Sequence, residues 1–147
     1  MRKDETSFQA ARTGVRETYR IDEIYKITRK DYIAERIFDD SVCYSFYPID
    51  LHDNNGVVPD HLRDGIVPTV PLRALIPKNS RNFVVAGRCI SSDRMANSAL
   101  RVQASCTAMG QVAGATVALA NKLNKTPLDI PIDTVKSLLK EHKAIVP

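Results

Sequence analysis

Val102–Leu123 is a proline-free, alanine-rich run, whereas the earlier stretch Val57–Pro77 carries Pro59, Pro68, Pro71 and Pro77. No other feature constrains the fold as much. Proline fixes φ and has no N–H to donate, so the earlier stretch cannot be one helix. It is expected to be extended, with strand pieces at Ile66-Val67 and Val70–Leu72. The later run predicts a helix about 30 Å long, at roughly 1.5 Å per residue. Within it Cys106, Gly110, Gly114 and Ala118 recur every four residues and share one face. Ala104, Ala108, Ala113 and Ala115 lie close to that stripe. Each interior glycine costs roughly 1 kcal/mol relative to alanine. A close approach by another backbone would offset that cost, and the partner need not lie within this chain. An ordinary alanine-rich core helix is the competing reading.

The rest of the chain reads as shorter pieces. Residues 1–15 are polar, without a strong period, and are expected to be a flexible amino-terminal segment. Tyr19, Ile21, Glu23, Tyr25 and Ile27 alternate with Arg20, Asp22, Ile24 and Lys26, a strand signal. Thr28 followed three residues later by Asp31 predicts a helix start, with the helix reaching about Arg36 and Ile37 and Phe38 packing its end. Ser41–Leu51 reads as a strand that stops near Pro48. Asp53-Asn54-Asn55-Gly56 reads as a turn. Asn82–Ala86 is a short apolar run ending at Gly87, which fits a strand buried on both faces. Arg88 to about Leu100 reads as polar turn. The tail from Asp133, with Val135, Leu138, Leu139 and His142 at helical spacing, predicts a last helix capped by Asp133.

Charge and composition remove several function classes. The 147 residues carry 21 basic and 17 acidic side chains, a net charge of +4. The basic residues are scattered and the aromatics Tyr44, Phe46 and Tyr47 have no basic run beside them, so nucleic acid is not expected as a partner. No apolar run approaches the roughly 20 residues of a membrane helix, and the start lacks the apolar core of a secretory signal. A soluble chain of unknown compartment is expected, with the cytoplasm favoured. Cys43, Cys89 and Cys106 fit neither a disulfide framework nor a zinc pattern. His52 and His61 with Asp50, Asp53 and Asp60 are spaced too irregularly for a metal site, so none is expected.

A strand, a glycine turn and a helix amino terminus make a ligand-binding arrangement. Free amides and the positive dipole end of the helix attract phosphate or a polarised carbonyl. Gly87 permits close approach to the backbone. Arg88 and Arg101 supply charge beside it.

Three motifs add identity to this pattern: Asn82-Phe83-Val84-Val85-Ala86-Gly87-Arg88-Cys89-Ile90-Ser91, Ser98–Gln103 and Cys106–Gly114. Tyr47-Pro48-Ile49-Asp50-Leu51-His52, Val70–Lys78 and Arg16–Ile21 accompany them. Together, over roughly residues 9–146, they resemble the carboxy-terminal signature of a family of FAD-dependent oxidoreductases. The resemblance implies a mixed α/β (α+β) fold, the carboxy-terminal part of a two-dinucleotide-binding-domain-type flavoprotein. Residues 16–80 would be partial substrate-domain strands and loops. Residues 81–124 would be the closing strand-turn-helix of the FAD-binding domain, and 125–147 a tail helix. It also places Gly87, Arg88, Cys89 and Ile90 beside the flavin ribityl or pyrophosphate region. Arg101, Val102 and Gln103 would face the isoalloxazine carbonyl edge, and His52 would lie on the substrate side. Each has a plainer alternative: a surface ion pair for Arg88, buried packing for Cys89 and Cys106, a loop histidine for His52.

One family element is absent from these residues. Members begin with a strand, a GxGxxG turn and a helix that hold the FAD pyrophosphate. Gly14, Gly56, Gly65, Gly87, Gly110 and Gly114 never form that turn. The expectation is therefore a carboxy-terminal portion that does not hold FAD tightly alone and is inactive or nearly so. Its natural partner would be the missing amino-terminal dinucleotide-binding segment, with a homodimer as the simplest substitute cover for the helix stripe. A free-standing binding module on the same scaffold is the alternative function.

Overall fold

The computed structural model describes residues 19–147 apart from 54, 55, 58 and 66, and leaves aside the side chains of His52, Asp53 and Val57. The expected flexible segment 1–15 and residues 16–18 of the Arg16–Ile21 motif lie outside the described residues. So does Ile66.

Four helices and two small antiparallel sheets make up the regular structure of the described residues, a mixed α and β fold. Helix α1 spans Arg29–Ile33. Its Thr28–Asp31 capping box is formed, with the Asp31 amide donating to Thr28 Oγ1 at 3.2 Å and the Thr28 amide donating to Asp31 Oδ2 at 3.0 Å. The helix ends at Ile33, not near Arg36, because Glu35 turns left-handed at φ +53. Phe38 is buried as expected, while Ile37 is exposed and packs nothing at the helix end.

Strand β1 (Ser41–Tyr44) is shorter than the expected Ser41–Leu51 strand. It pairs antiparallel with β4 (Thr69–Pro71), with an irregularity between Ser41 and Cys43. Beyond Tyr44 the pairing with the β4 side continues for one rung among the described residues, from the Ser45 amide to the Pro68 carbonyl, and Ile49 then forms an isolated antiparallel bridge with Asp60. β2 (His52–Asp53) and β3 (Gly56–Val57) form a hairpin across the expected turn.

Residues 21–27 alternate as expected, with Glu23 and Ile27 buried and Asp22, Ile24 and Lys26 exposed. They form isolated bridges, antiparallel to Pro77 and parallel to Ser92, not a continuous strand. Asn82–Ala86 departs further from expectation. Phe83 is 58% exposed, and the Val85 amide, donating to the Leu75 carbonyl at 2.8 Å, makes the run's one backbone rung among the described residues. A strand buried on both faces needs neighbours at both edges, and the described residues provide a single contact on one.

Helix α2 (Arg94–Leu100) occupies residues read from the sequence as polar turn. Asp93 caps it, accepting the Ala96 amide at 2.8 Å. That capping residue, followed by seven residues without glycine or proline, was the available signal. Helix α3 (Gln103–Leu123) matches the expected long helix, and Asn124 closes it in the left-handed conformation. Helix α4 (Ile132–Glu141) starts two residues earlier than expected. Pro131 is its cap and Asp133 sits inside the first turn, where its charge complements the dipole.

The core gathers Ile27, Tyr32, Val42, Val70, Leu75, Leu100, Met109, Val112 and Val135 from every part of the described chain. Ser105, Met109, Val112 and Thr116 form the buried side of α3. Gly110, Gly114 and Ala118 lie on its exposed side, where a Cβ built on either glycine meets no atom within 4 Å. At the head of the stripe Cys106 does have a neighbour, its Sγ 3.9 Å from a Cβ built on Gly87. At Gly110 and Gly114 the described residues supply no close neighbour, and Gly114 and Ala118 line an open groove beside Leu138 and Leu139 of α4.

Candidate cofactor-binding site

Local backbone chemistry builds the site between Gly87 and Gln103. Gly87 has φ +92, a left-handed conformation that favours glycine. Its carbonyl accepts the Ile90 amide at 3.1 Å, closing a tight turn. The turn is fastened from two directions. The Ile21 amide donates to the Cys89 carbonyl at 3.0 Å, and Asn97 Nδ2 donates to the Arg88 carbonyl at 3.1 Å and to Ser92 Oγ at 3.0 Å. Asn97 is buried, so its amide links α2 to the turn at a point shielded from water.

Opposite the turn, the segment after β1 is held just as firmly. Tyr32 Oη donates to the carbonyls of Ser45 and Tyr47, at 3.0 and 2.9 Å. Ser45 Oγ lies 2.9 Å from Ser105 Oγ in the first turn of α3. The Asp50 amide donates to Ser98 Oγ at 3.0 Å, and Arg101 Nη2 reaches the Asp50 carbonyl at 3.4 Å. These bonds set Tyr47 and Asp50 across from Arg88 and the start of α3.

A cavity of about 420 Å³ results, lined by Tyr47, Asp50, Arg88, Ser98, Arg101, Val102 and Gln103. Four expected site residues, Arg88, Arg101, Val102 and Gln103, are therefore brought together. Helix α3 begins here at Val102 without a side-chain cap, leaving its first amides available to an outside acceptor. Gly87 and Cys89 lie in the adjoining turn. The Ile90 side chain is fully buried in the core, so only its backbone faces the turn. His52 is placed in β2 by its backbone, and its side chain lies outside the description. Tyr47, Asp50 and Ser98 belonged to recognised motifs but were not singled out as lining residues. Their signal was position within those motifs, not residue chemistry.

The cysteines are thiols without a disulfide. Burial pushes Cys43 up to about 12. Burial also raises Cys106, with the Arg88 charge pulling the other way, so Arg88 lies close enough to be felt at the Cys106 sulfur. Neither shift makes a reactive thiolate.

A family model described as FAD dependent oxidoreductase matches residues 1–139. The chain belongs to this family. No curated protein and no solved structure matches it. FAD is the family's cofactor. The donor set suits part of that molecule, since two guanidinium groups and an uncapped helix start complement carbonyl or phosphate oxygens. The fit is to one portion, because the 147 residues contain no GxGxxG turn for the pyrophosphate. No helix among the described residues is long and apolar enough to cross a membrane.

Proposed function

We propose that this chain is the flavin-side carboxy-terminal part of an FAD-dependent oxidoreductase, working with an amino-terminal dinucleotide-binding segment. The cavity joining Arg88, Arg101 and the open start of α3 carries this reading. FAD, when bound, supplies the electron-accepting chemistry of the reaction. The protein's part is orientation and charge. Gly87 lets the backbone come close to the cofactor, Arg88 lies beside its ribityl or phosphate region, and Arg101 with the Val102 and Gln103 amides meets the carbonyl edge of the ring. A positive helix end at that edge favours negative charge developing on the reduced ring. His52 stands on the substrate side.

Two features support a separate partner segment. Among the described residues, Gly110, Gly114 and Ala118 of the α3 stripe are exposed, and Asn82–Ala86 has a single backbone rung. In a two-dinucleotide-binding-domain-type fold, the amino-terminal unit would cover both. The test is the reading frame upstream of Met1. A strand, a GxGxxG turn and a helix are expected there, and protein carrying both parts should purify yellow. Replacing Arg101 with alanine should then lower flavin retention. An upstream stop codon, with the chain folding as a colourless stable monomer, would favour a free-standing binding module.

A further inference from the structure

Glu23 is a buried acid with no part in the site described above. It is 1% exposed and sits midway along the extended segment 21–27, bridged on one side to Pro77. Its Oε2 accepts the Ser91 amide at 2.8 Å, while Oε1 has no hydrogen-bond partner among the described residues. Backbone bonds lie to either side, from the Ile21 amide to the Cys89 carbonyl and from the Ile27 amide to the Ser91 carbonyl, both at 3.0 Å. The attachment of the 87–92 turn to segment 21–27 thus has a titratable group as its middle rung.

Charges on the flanking elements do not balance an ionised Glu23. Lys78 pairs with Asp22 at 3.0 Å, and Arg73 pairs with Asp40 at 3.0 Å and lies over the Tyr25 ring. Arg88 lines the cavity, and Arg94 on α2 is exposed. Arg20, Asp22 and Lys26 alternate to the other face of the extended chain, where they line a cavity with Ser91 and Ser92. Asp93 is engaged at helix caps, accepting the amides of Arg29 and Ala96. A buried carboxylate with one hydrogen bond and no cation among the described residues is costly, whereas its neutral acid is better tolerated.

We propose that Glu23 is a positioning residue for the Gly87–Ser92 turn: as a neutral acid it stays buried against Ser91 and holds the turn on segment 21–27, and ionised, as a charge that the Ser91 amide alone does not compensate, it draws in water and loosens the turn. The clasp needs only the fold, and its consequence for the cofactor rests on the reading of the turn given above. Burial, the leading cause, pushes the Glu23 carboxyl up to about 8, with the Ser91 amide partly opposing. The hold on the turn therefore weakens progressively as pH rises from the ordinary carboxyl range toward about 8.

Isotope-labelled full chain, without flavin, tests this by NMR. The Glu23 side-chain carboxyl carbon and the amides of Ser91, Cys89 and Arg88 are followed from about pH 3 to about pH 10, spanning ordinary and raised carboxyl values. A shared midpoint near 8 is expected at the carboxyl and the Ser91 amide. Protection of the Ser91 and Cys89 amides from exchange should fall about tenfold or more as pH rises toward that midpoint, and level off above it. In Glu23→Gln, which keeps an acceptor but cannot ionise, the Ser91 signal should not move with pH. Titration of Glu23 in the ordinary carboxylate range, or a Ser91 shift that persists in Glu23→Gln, would overturn the clasp. Should the variant fail to fold, the wild-type titration still decides. Failure of the cofactor reading would show separately, as absence of flavin from the two-part protein.

Discussion

The two long sides of α3 have the same helical backbone and opposite surroundings. One side sends Ser105, Met109, Val112 and Thr116 into the core, and the hydroxyl of Ser105 even meets Ser45 across the site. The other presents Gly110, Gly114 and Ala118 to open space. Helix propensity alone favours neither side, since glycine in a helix is a cost wherever it stands. Packing against β1, α4 and the Tyr47 segment accounts for the closed side. Nothing in the described chain accounts for the glycines, and this asymmetry is what an unfilled family partner would leave behind.

Breaking the closed side should have the largest effect. Met109 is fully buried, and Met109→Ala should cost about 2–5 kcal/mol in urea unfolding, as large-to-small core changes do. A loss under about 1 kcal/mol would mean that this face is not the packed one.

Glu23 is buried elsewhere, on segment 21–27, and makes stability depend on pH with a definite sign. Its folded value near 8 stands above the ordinary 4.5, so between these values the folded chain keeps a proton that the unfolded chain has released. Stability from this group is complete below the lower value, falls as pH rises, and levels off above the upper one. At about 1.4 kcal/mol per pKa unit the fall amounts to a few kcal/mol. Denaturant midpoints across this range should show it, and Glu23→Gln should flatten the curve.

The open side should respond in the opposite direction and more weakly. Gly114→Ala adds a methyl where nothing lies within 4 Å, so the isolated chain should gain up to about 1 kcal/mol. Gly114→Leu should leave the isolated chain folded yet block close packing by a partner helix or strand, which light scattering of the two-part protein would register. A loss of stability in Gly114→Ala would show that the face is already covered.

The sequence revealed different parts of the fold unequally. Periodicity and proline placement located α3 and α4, and the Thr28–Asp31 spacing located α1, because these signals act within a few residues. The strands were less visible. Asn82–Ala86 has the composition of a central strand, but the described residues do not supply the neighbours that would make it one, and a strand depends on partners far away in sequence. The site was legible as motifs: Arg88, Arg101, Val102 and Gln103 do converge. That Tyr47, Asp50 and Ser98 complete the cavity could not be read, since Tyr32 and Ser98 bring them there through hydrogen bonds between distant segments.

The central claim is that this chain carries the flavin-facing turn and helix start but not the grip on the pyrophosphate. Titrating FAD with the purified chain and following flavin fluorescence tests it most directly. No saturable change at micromolar concentrations is expected, and the preparation should be colourless. A yellow protein with one flavin per chain, retained through purification, would contradict the account.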